Sequence, residues 1–187
     1  MSLRFGMLGL LSYQDMTGYE LNKVFDSSLQ FMWNTKTSQI YRELSKMEKE
    51  DLVTSSVEVQ DKKPDRKIYT ITEHGKVAFD EWVNKFPQNL IAPIRDEFIV
   101  RIFFGNSIEP QNLLFEMQRY KKQQEEELAT LSLVEKEAVE TTAEEELQGE
   151  MFYWLLTIKR ARKSIIAEIE WADETIELLK NKGEKEQ

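Results

Sequence analysis

The chain has 187 residues, of which 41% are hydrophobic and 11% aromatic, and this is enough apolar material to build a folded core. It carries 25 lysines and arginines against 34 aspartates and glutamates, a formal net charge of -9, and no cysteine. The lack of cysteine excludes disulfides, thiolate metal sites and cysteine nucleophiles. The apolar N-terminal stretch lacks signal-peptide features and is too short to cross a bilayer, so we predict a cytoplasmic protein without membrane association.

The charge is distributed unevenly along the chain. Residues 1–86 contain 12 cations and 13 anions, whereas residues 87–187 contain 13 cations and 21 anions. Pro87 and Pro93 mark a boundary between the two parts, because proline disfavours continuation of a helix. We therefore predict two domains, residues 1–88 and residues 89–187.

Three short helices are predicted before residue 52. The first covers Leu3 to Ser12 and is apolar nearly all round, which is typical of a buried helix. Thr17 is the predicted N-cap of the second helix, GYELNKVFDSS, whose expected core anchors are Tyr19, Leu21, Val24 and Phe25. The third helix, SQIYRELSKMEKED, carries an apolar stripe on one side and cations on another; the stripe is Ile40, Leu44 and Met47, and the cations are Arg42, Lys46 and Lys49.

The hydrophobic period then changes from that of a helix to that of a strand. Residues 57–72, VEVQDKKPDRKIYTIT, contain two strand-like runs around a tip that holds Lys62, Lys63, Arg66 and Lys67, which predicts a β-hairpin. Thr72 is the predicted N-cap of a fourth helix. The apolar residues of that helix are expected to face inward: Val77, Phe79, Trp82, Val83 and Phe86.

The second half of the chain reads as helical throughout, with Pro110 in the first turn of a long helix. In the last helix, apolar residues recur at alternating steps of four and three, the heptad pattern of helix-on-helix packing. We call these residues the seam: Met151, Leu155, Ile158, Arg162, Ile165, Ile169, Ala172, Ile176 and Leu179. Arg162 is its one charged member and needs an acidic partner on the opposing helix.

Three helices followed by a charged hairpin are the order of elements of a winged helix-turn-helix, in which the third helix enters the major groove and the hairpin, or wing, contacts the backbone. The predicted fold class is thus mostly α with a small β-hairpin. An N-terminal winged helix-turn-helix domain precedes a C-terminal helical, coiled-coil-like dimerisation domain. A solvated turn would also account for a basic hairpin tip, and a winged-helix adaptor that binds proteins instead of DNA is the alternative function.

Three stretches, GYEL, SQIYRELSKMEKEDLV and DRKIYTITEHGKVAFDEW, resemble the PadR family of bacterial transcriptional regulators, in the family's order and spacing. The long, acidic, helical second half is similar in character to the longer subfamily. Two positions depart from the family pattern: Asp51 stands where glycine is usual, and Arg42 where proline is frequent. Because Asp adopts left-handed backbone geometry less readily than glycine, we expect modest strain at Asp51.

The candidate DNA-binding residues belong to the third helix and the wing, and each has an alternative role. They are Thr37, Ser38, Gln39, Tyr41, Arg42, Lys46, Lys62, Lys63, Arg66 and Lys67. Gln39 could pair with adenine, whereas a hydroxyl of Thr37 or Ser38 could instead cap the helix. The family resemblance implies that the Tyr41 hydroxyl contacts the DNA backbone, and a half-buried packing ring is compatible with that role. Lys67 could serve the hairpin itself.

We interpret the chain as a homodimeric repressor that binds double-stranded DNA. The predicted dimerisation residues are Leu155, Ile158, Arg162, Ile165, Ile169, Ile176 and Leu179. A small-molecule effector is a further candidate partner, although no convergent polar group marks its pocket. His74 is the only histidine, and no glycine-rich phosphate loop is present, so we predict no catalytic site, no metal site and no cofactor.

Overall fold

The computed structural model describes residues 2–29, 31–33, 35–59, 65–91, 94–141 and 148–185, and its chain divides into two compact units, Met1–Ala92 (unit 1) and Pro93–Gln187 (unit 2). In unit 1 the elements follow the order α1 (Ser2–Tyr13), β1 (Met16–Thr17), α2 (Gly18–Ser28), α3 (Thr37–Lys49), β2 (Val53–Glu58), β3 (Arg66–Ile71) and α4 (Glu73–Asn84). Unit 2 contains α5 (Glu97–Phe103), a short 3-10 helix (Gly105–Ser107), α6 (Pro110–Thr141) and α7 (Gln148–Lys185).

The start of α2 is fixed by a reciprocal cap. The Thr17 hydroxyl accepts a hydrogen bond from the Glu20 N–H at 3.2 Å, and the Glu20 carboxylate accepts one from the Thr17 N–H at 2.9 Å. The predicted N-cap is therefore confirmed. Leu21 and Phe25 are buried as expected, but the prediction was wrong for Tyr19, which lies on the outward side of the helix and is 70% exposed.

The predicted hairpin is confirmed as an antiparallel pair of β2 and β3, in register from Val53 opposite Ile71 to Glu58 opposite Arg66. A third strand, β1, was not predicted. It pairs with the other edge of β3, so that the sheet order is β1-β3-β2. Two residues are too few to show a strand period, and only the pairing with β3 makes this segment a strand.

The core of unit 1 orients α3. The predicted stripe, Ile40, Leu44 and Met47, is fully buried in a cluster with residues of α1, α2 and the sheet. Arg42 and Lys46 consequently lie on the solvent side of the same helix. Burial of three large apolar side chains, each worth roughly 1.5–3 kcal/mol, holds α3 against the domain while its polar face stays free.

Most of the predicted inward residues of α4 do not face inward. The Thr72 cap is confirmed, since its hydroxyl accepts from the Gly75 N–H at 3.0 Å. Phe79 packs against the core and Trp82 stacks on Phe5 of α1, with ring centroids 4.9 Å apart. Three other predicted core residues are exposed because α1 covers only one side of α4 and because the helix ends at Asn84: Val77, Val83 and Phe86.

Asp51 ends α3 in the left-handed region, with φ of 56°, as the unusual residue at this position led us to expect. The Leu52 N–H donates to the Met47 carbonyl at 2.9 Å and the Asp51 N–H to the Glu48 carbonyl at 3.3 Å, the hydrogen bonds of a Schellman motif.

Replacing Asp51 by glycine is expected to raise the free energy of unfolding by about 0.5–1 kcal/mol, because glycine adopts positive φ without a steric penalty. Asp51→Ala should lower it, since alanine tolerates this geometry less well than aspartate. Urea unfolding followed by circular dichroism measures both variants. A glycine variant less stable than the parent would contradict the strain at Asp51.

In unit 2 the helices α6 and α7 pack together as an antiparallel pair. Met117 of α6 is fully buried against Ala172 and Ile176 of α7, and the Lys121 ammonium lies 2.7 Å from the Asp173 carboxylate. The chain itself therefore supplies a helix that faces the seam. Among the described residues, no helix is both long and apolar enough to cross a membrane.

Within the single chain the seam packs against α6, and the contact of its residues with a second copy of the chain stays a prediction. Ile158, Ile165 and Ile176 are 6–8% exposed within the single chain, and Leu155, Ile169 and Leu179 are half-buried. The Arg162 guanidinium hydrogen-bonds Glu135 and, at 3.3 Å, the Ser132 hydroxyl, and both lie on α6 of the same chain. A heptad pattern specifies packing against a helix without specifying which chain provides it.

Candidate nucleic-acid interface

The outward face of α3 is polar and carries exposed cations. Thr37, Ser38 and Arg42 are exposed, and Arg42 has no ion-pair partner among the described residues. The Lys46 ammonium is 55% exposed and lies 3.8 Å from the Glu43 carboxylate. At its N-terminus the helix also presents the positive end of its dipole. These groups together form a surface that suits a polyanion.

The acidic residues of α3 and of its C-cap position, Glu50, are paired with cations from other elements. Arg4 of α1 donates to Glu43 at 2.8 Å and to Glu50 at 3.1 Å, and Lys67 of β3 lies 2.8 Å from Glu48. The hydrogen bond from Arg4 also lowers the pKa of Glu50 below its ordinary value. With its carboxylates paired, the exposed side of α3 keeps a local excess of positive charge although the whole chain is acidic.

Gln39 is part of the helix start. Its side-chain oxygen accepts from the Lys36 N–H at 2.9 Å and from the Thr35 hydroxyl at 3.0 Å. The N-cap position is Lys36, whose side chain makes no capping bond, so the alternative in which a Thr37 or Ser38 hydroxyl caps α3 is wrong. Gln39 would have to exchange these bonds for contacts to a base edge before it could read adenine.

Tyr41 packs against the backbone of Gly18 at the start of α2. A Cβ atom added to Gly18 would lie 2.5 Å from Cε1 of the tyrosine ring, so a larger residue at this position would displace the ring. Tyr41 remains 44% exposed. The ring is thus a half-buried packing group with an accessible edge, and the contact of its hydroxyl with DNA stays a prediction.

The predicted wing cations fall into two groups. Lys62 and Lys63 lie outside the described residues. Arg66 and Lys67 are paired: the Arg66 guanidinium is 2.5 Å from the Glu20 carboxylate and 4.0 Å from Glu58, and Lys67 combines its bond to Glu48 with a position 5.0 Å from the centroid of the Tyr69 ring. The alternative in which Lys67 serves the hairpin itself fits this arrangement.

Sequence reasoning missed the two carboxylates that hold these cations. Hydrogen bonds from the Thr17 backbone and hydroxyl, followed by the charge of Arg66, lower the pKa of Glu20. Hydrogen bonds from Lys67 and Ser55 lower the pKa of Glu48. The bond between Lys67 and Glu48 in turn raises the pKa of Lys67. The spacing of Thr17 and Glu20 is a capping-box pattern, and this pattern could have identified Glu20 from the sequence. No local pattern marks Glu48.

Helices α1, α2 and α3, followed by the β2–β3 hairpin of the sheet, define a winged helix-turn-helix protein. Residues 7–81 match the family described as Transcriptional regulator PadR-like, and residues 94–180 match Virulence activator alpha C-term. The negative transcriptional regulator PadR of Bacillus subtilis is 32% identical over 123 residues, which are 65% of this chain and 67% of that protein. The chain belongs to the PadR-like family and is a transcriptional regulator.

Solved structures agree with this fold over nearly the whole chain. The crystal structure of Bacillus subtilis PadR in complex with operator DNA has a TM-score of 0.78 at 23% identity and covers 96% of this chain and 99% of its own. The same protein in complex with p-coumaric acid has a TM-score of 0.72, at 23% identity and 95% coverage of each chain. The Vibrio cholerae virulence activator AphA has a TM-score of 0.73 at 26% identity and covers 96% and 98%.

Proposed function

We propose that the chain is a homodimeric repressor that binds a pseudo-palindromic DNA operator through residues 1–88, with residues 89–187 as the dimerisation domain. The main support for this proposal is that, on the outward face of α3, the acidic residues are paired and Arg42 and Lys46 point to solvent. A protein-binding adaptor has no need of outward cations on this helix. Two-fold symmetry would place two such helices at half-sites about 34–36 Å apart.

Within the DNA-binding domain we assign different roles to the candidate residues. Arg42 and Lys46 contact base edges or phosphates, and Thr37, Ser38 and the Tyr41 hydroxyl contact the backbone beside them. Lys62 and Lys63 at the hairpin tip are proposed phosphate contacts. The operator complex of Bacillus subtilis PadR supports DNA as the partner, and the description of that protein as a negative regulator supports repression.

We assign the dimer contact to the exposed apolar side chains of unit 2, because the seam already packs within the chain. These residues lie on α6 and α7: Phe115, Leu133, Phe152, Tyr153, Leu156 and Leu178. An exposed apolar set of this size on a helical pair favours association. The predicted seam residues then support the dimer indirectly, by holding α7 against α6.

The function is tested by selecting DNA ligands from a random duplex library and measuring their affinity by fluorescence anisotropy across a salt series. Arg42→Ala combined with Lys46→Ala should weaken binding by at least about tenfold, since a specific arginine contact is worth roughly 1–3 kcal/mol. Lys122→Ala with Lys136→Ala removes two exposed cations of α6 and is the matched control, expected to bind like the parent. If the library yields no enriched sequence, the adaptor is the better function.

We also propose that a small-molecule effector releases the protein from its operator. The complex of Bacillus subtilis PadR with p-coumaric acid supports a small molecule as the effector and provides the first probe. Unit 2 contains an open cleft of about 520 Å³ between the 3-10 helix, the start of α6 and the end of α7, with Asn106, Ser107 and Thr175 among its lining residues. Addition of p-coumaric acid to the protein–DNA complex should lower the anisotropy if a phenolic acid is the effector.

A further inference from the structure

Two consecutive cations at the tip end of β3 are each bound to a carboxylate from a different helix. The Arg66 guanidinium is 2.5 Å from Oε1 of Glu20, at the start of α2, and the Lys67 ammonium is 2.8 Å from Oε2 of Glu48, in the last turn of α3. Successive residues of a strand point to opposite faces of the sheet. The side chains of Arg66 and Lys67 therefore leave opposite faces of β3, and the first binds α2 whereas the second binds α3.

Both carboxylates are held in place by further bonds. The second oxygen of Glu20 accepts from the Thr17 N–H at 2.9 Å and from the Thr17 hydroxyl at 2.8 Å. The second oxygen of Glu48 accepts from the hydroxyl of Ser55, on strand β2. Glu48 thus connects α3 to both strands of the hairpin. A carboxylate whose two oxygens are both occupied has little freedom to move, so each ion pair fixes the position of the strand that it binds.

We propose that Glu20 and Glu48 are positioning residues that set the angle of the wing relative to α3, and that Arg66 and Lys67 act on DNA binding through that angle and not through phosphate contacts. The inference rests on the proposed DNA-binding function. The inference goes beyond that function because it assigns to two anions, Glu20 and Glu48, a role that favours DNA binding. A carboxylate near DNA repels phosphates, so its removal would normally strengthen binding.

The two roles of Glu48 predict opposite changes in DNA affinity when its charge is removed, so Glu48→Gln is the decisive variant. If Glu48 positions the wing, Glu48→Gln should bind the selected operator about tenfold more weakly than the parent, in line with the coupling energies of interacting side chains. If it acts only as a local negative charge, the same variant should bind as tightly as the parent or more tightly. Glu73→Gln removes an 87% exposed carboxylate from the first turn of α4 and is the matched control.

A charge exchange tests the pairing itself. Lys67→Glu alone should lose about tenfold or more in affinity, because it places two carboxylates together and releases the strand. Adding Glu48→Lys to it rebuilds the ion pair with the same net charge as the parent and should restore the affinity to within about threefold. The slope of log affinity against log salt should match the parent's in the exchanged variant, because no phosphate contact has been removed.

Circular dichroism on every variant verifies that the fold is intact, so that a loss of binding reports on the wing. An exchanged variant that binds no better than Lys67→Glu, or a Glu48→Gln variant that binds at least as tightly as the parent, would overturn the inference while the parent still binds DNA. If the parent enriches no DNA sequence, that result would instead contradict the proposed DNA-binding function.

Discussion

Replacing Gly75 by alanine is expected to lower the free energy of unfolding of unit 1 by about 3 kcal/mol, the upper end of the usual range for overpacking. A Cβ atom at Gly75 would lie 2.1 Å from the carbonyl oxygen of Leu52 and 2.9 Å from Cγ1 of Ile71. The Leu52 carbonyl cannot easily give way, because it accepts a hydrogen bond from the Thr72 N–H at 3.1 Å. The clash would push the start of α4 away from the end of α3.

The control for this variant is Gly149→Ala. Gly149 lies in α7, and an added Cβ atom would meet nothing within 4 Å. Because alanine is the better helix former by about 1 kcal/mol, the control should be neutral or stabilising. Urea unfolding followed by circular dichroism measures both. Equal loss of stability in the two variants would mean that helix propensity, and not the contact with Leu52, decides the effect.

The local patterns of the sequence were sufficient to predict the elements whose signal lies in neighbouring residues. The caps at Thr17 and Thr72, the buried stripe of α3 and the hairpin all depend on side chains a few positions apart. Strand β1 and the open side of α4 depend instead on what lies beside them in space. An apolar residue such as Val83 shows no local sign of being uncovered.

The same distinction applies to the interface. Arg42 and Lys46 were predicted on the outward face of α3 because their spacing from Ile40 and Leu44 sets their direction. The partners of Arg66 and Lys67 could not be predicted, since Glu20 is 46 residues from Arg66 and Glu48 is 19 residues from Lys67. A cation with no partner nearby in the sequence can therefore be paired in the fold, and its role changes accordingly.

Ile165→Asp is expected to destabilise unit 2 by about 4 kcal/mol or more, because it buries an unpaired charge. Ile165 is 6% exposed between α7 and α6, whereas the adjacent Ile166 is 38% exposed. Ile166→Asp is the matched control and should cost about 1 kcal/mol or less. The loss of helical circular dichroism on heating measures both variants. Equal melting of the two would contradict the packing of the seam within the chain.

The oligomeric state of these variants separates the two possible roles of the seam. If the exposed apolar residues of unit 2 make the dimer, Phe152→Asp combined with Leu156→Asp should give a folded monomer in sedimentation, because both side chains are exposed and no core is disturbed. Ile165→Asp should instead lose helix and association together. If Ile165→Asp gives a folded monomer and the double variant remains a dimer, the seam residues, and not the exposed apolar residues, form the contact between the two copies. The two experiments thus distinguish a helix pair that stabilises one chain from one that joins two.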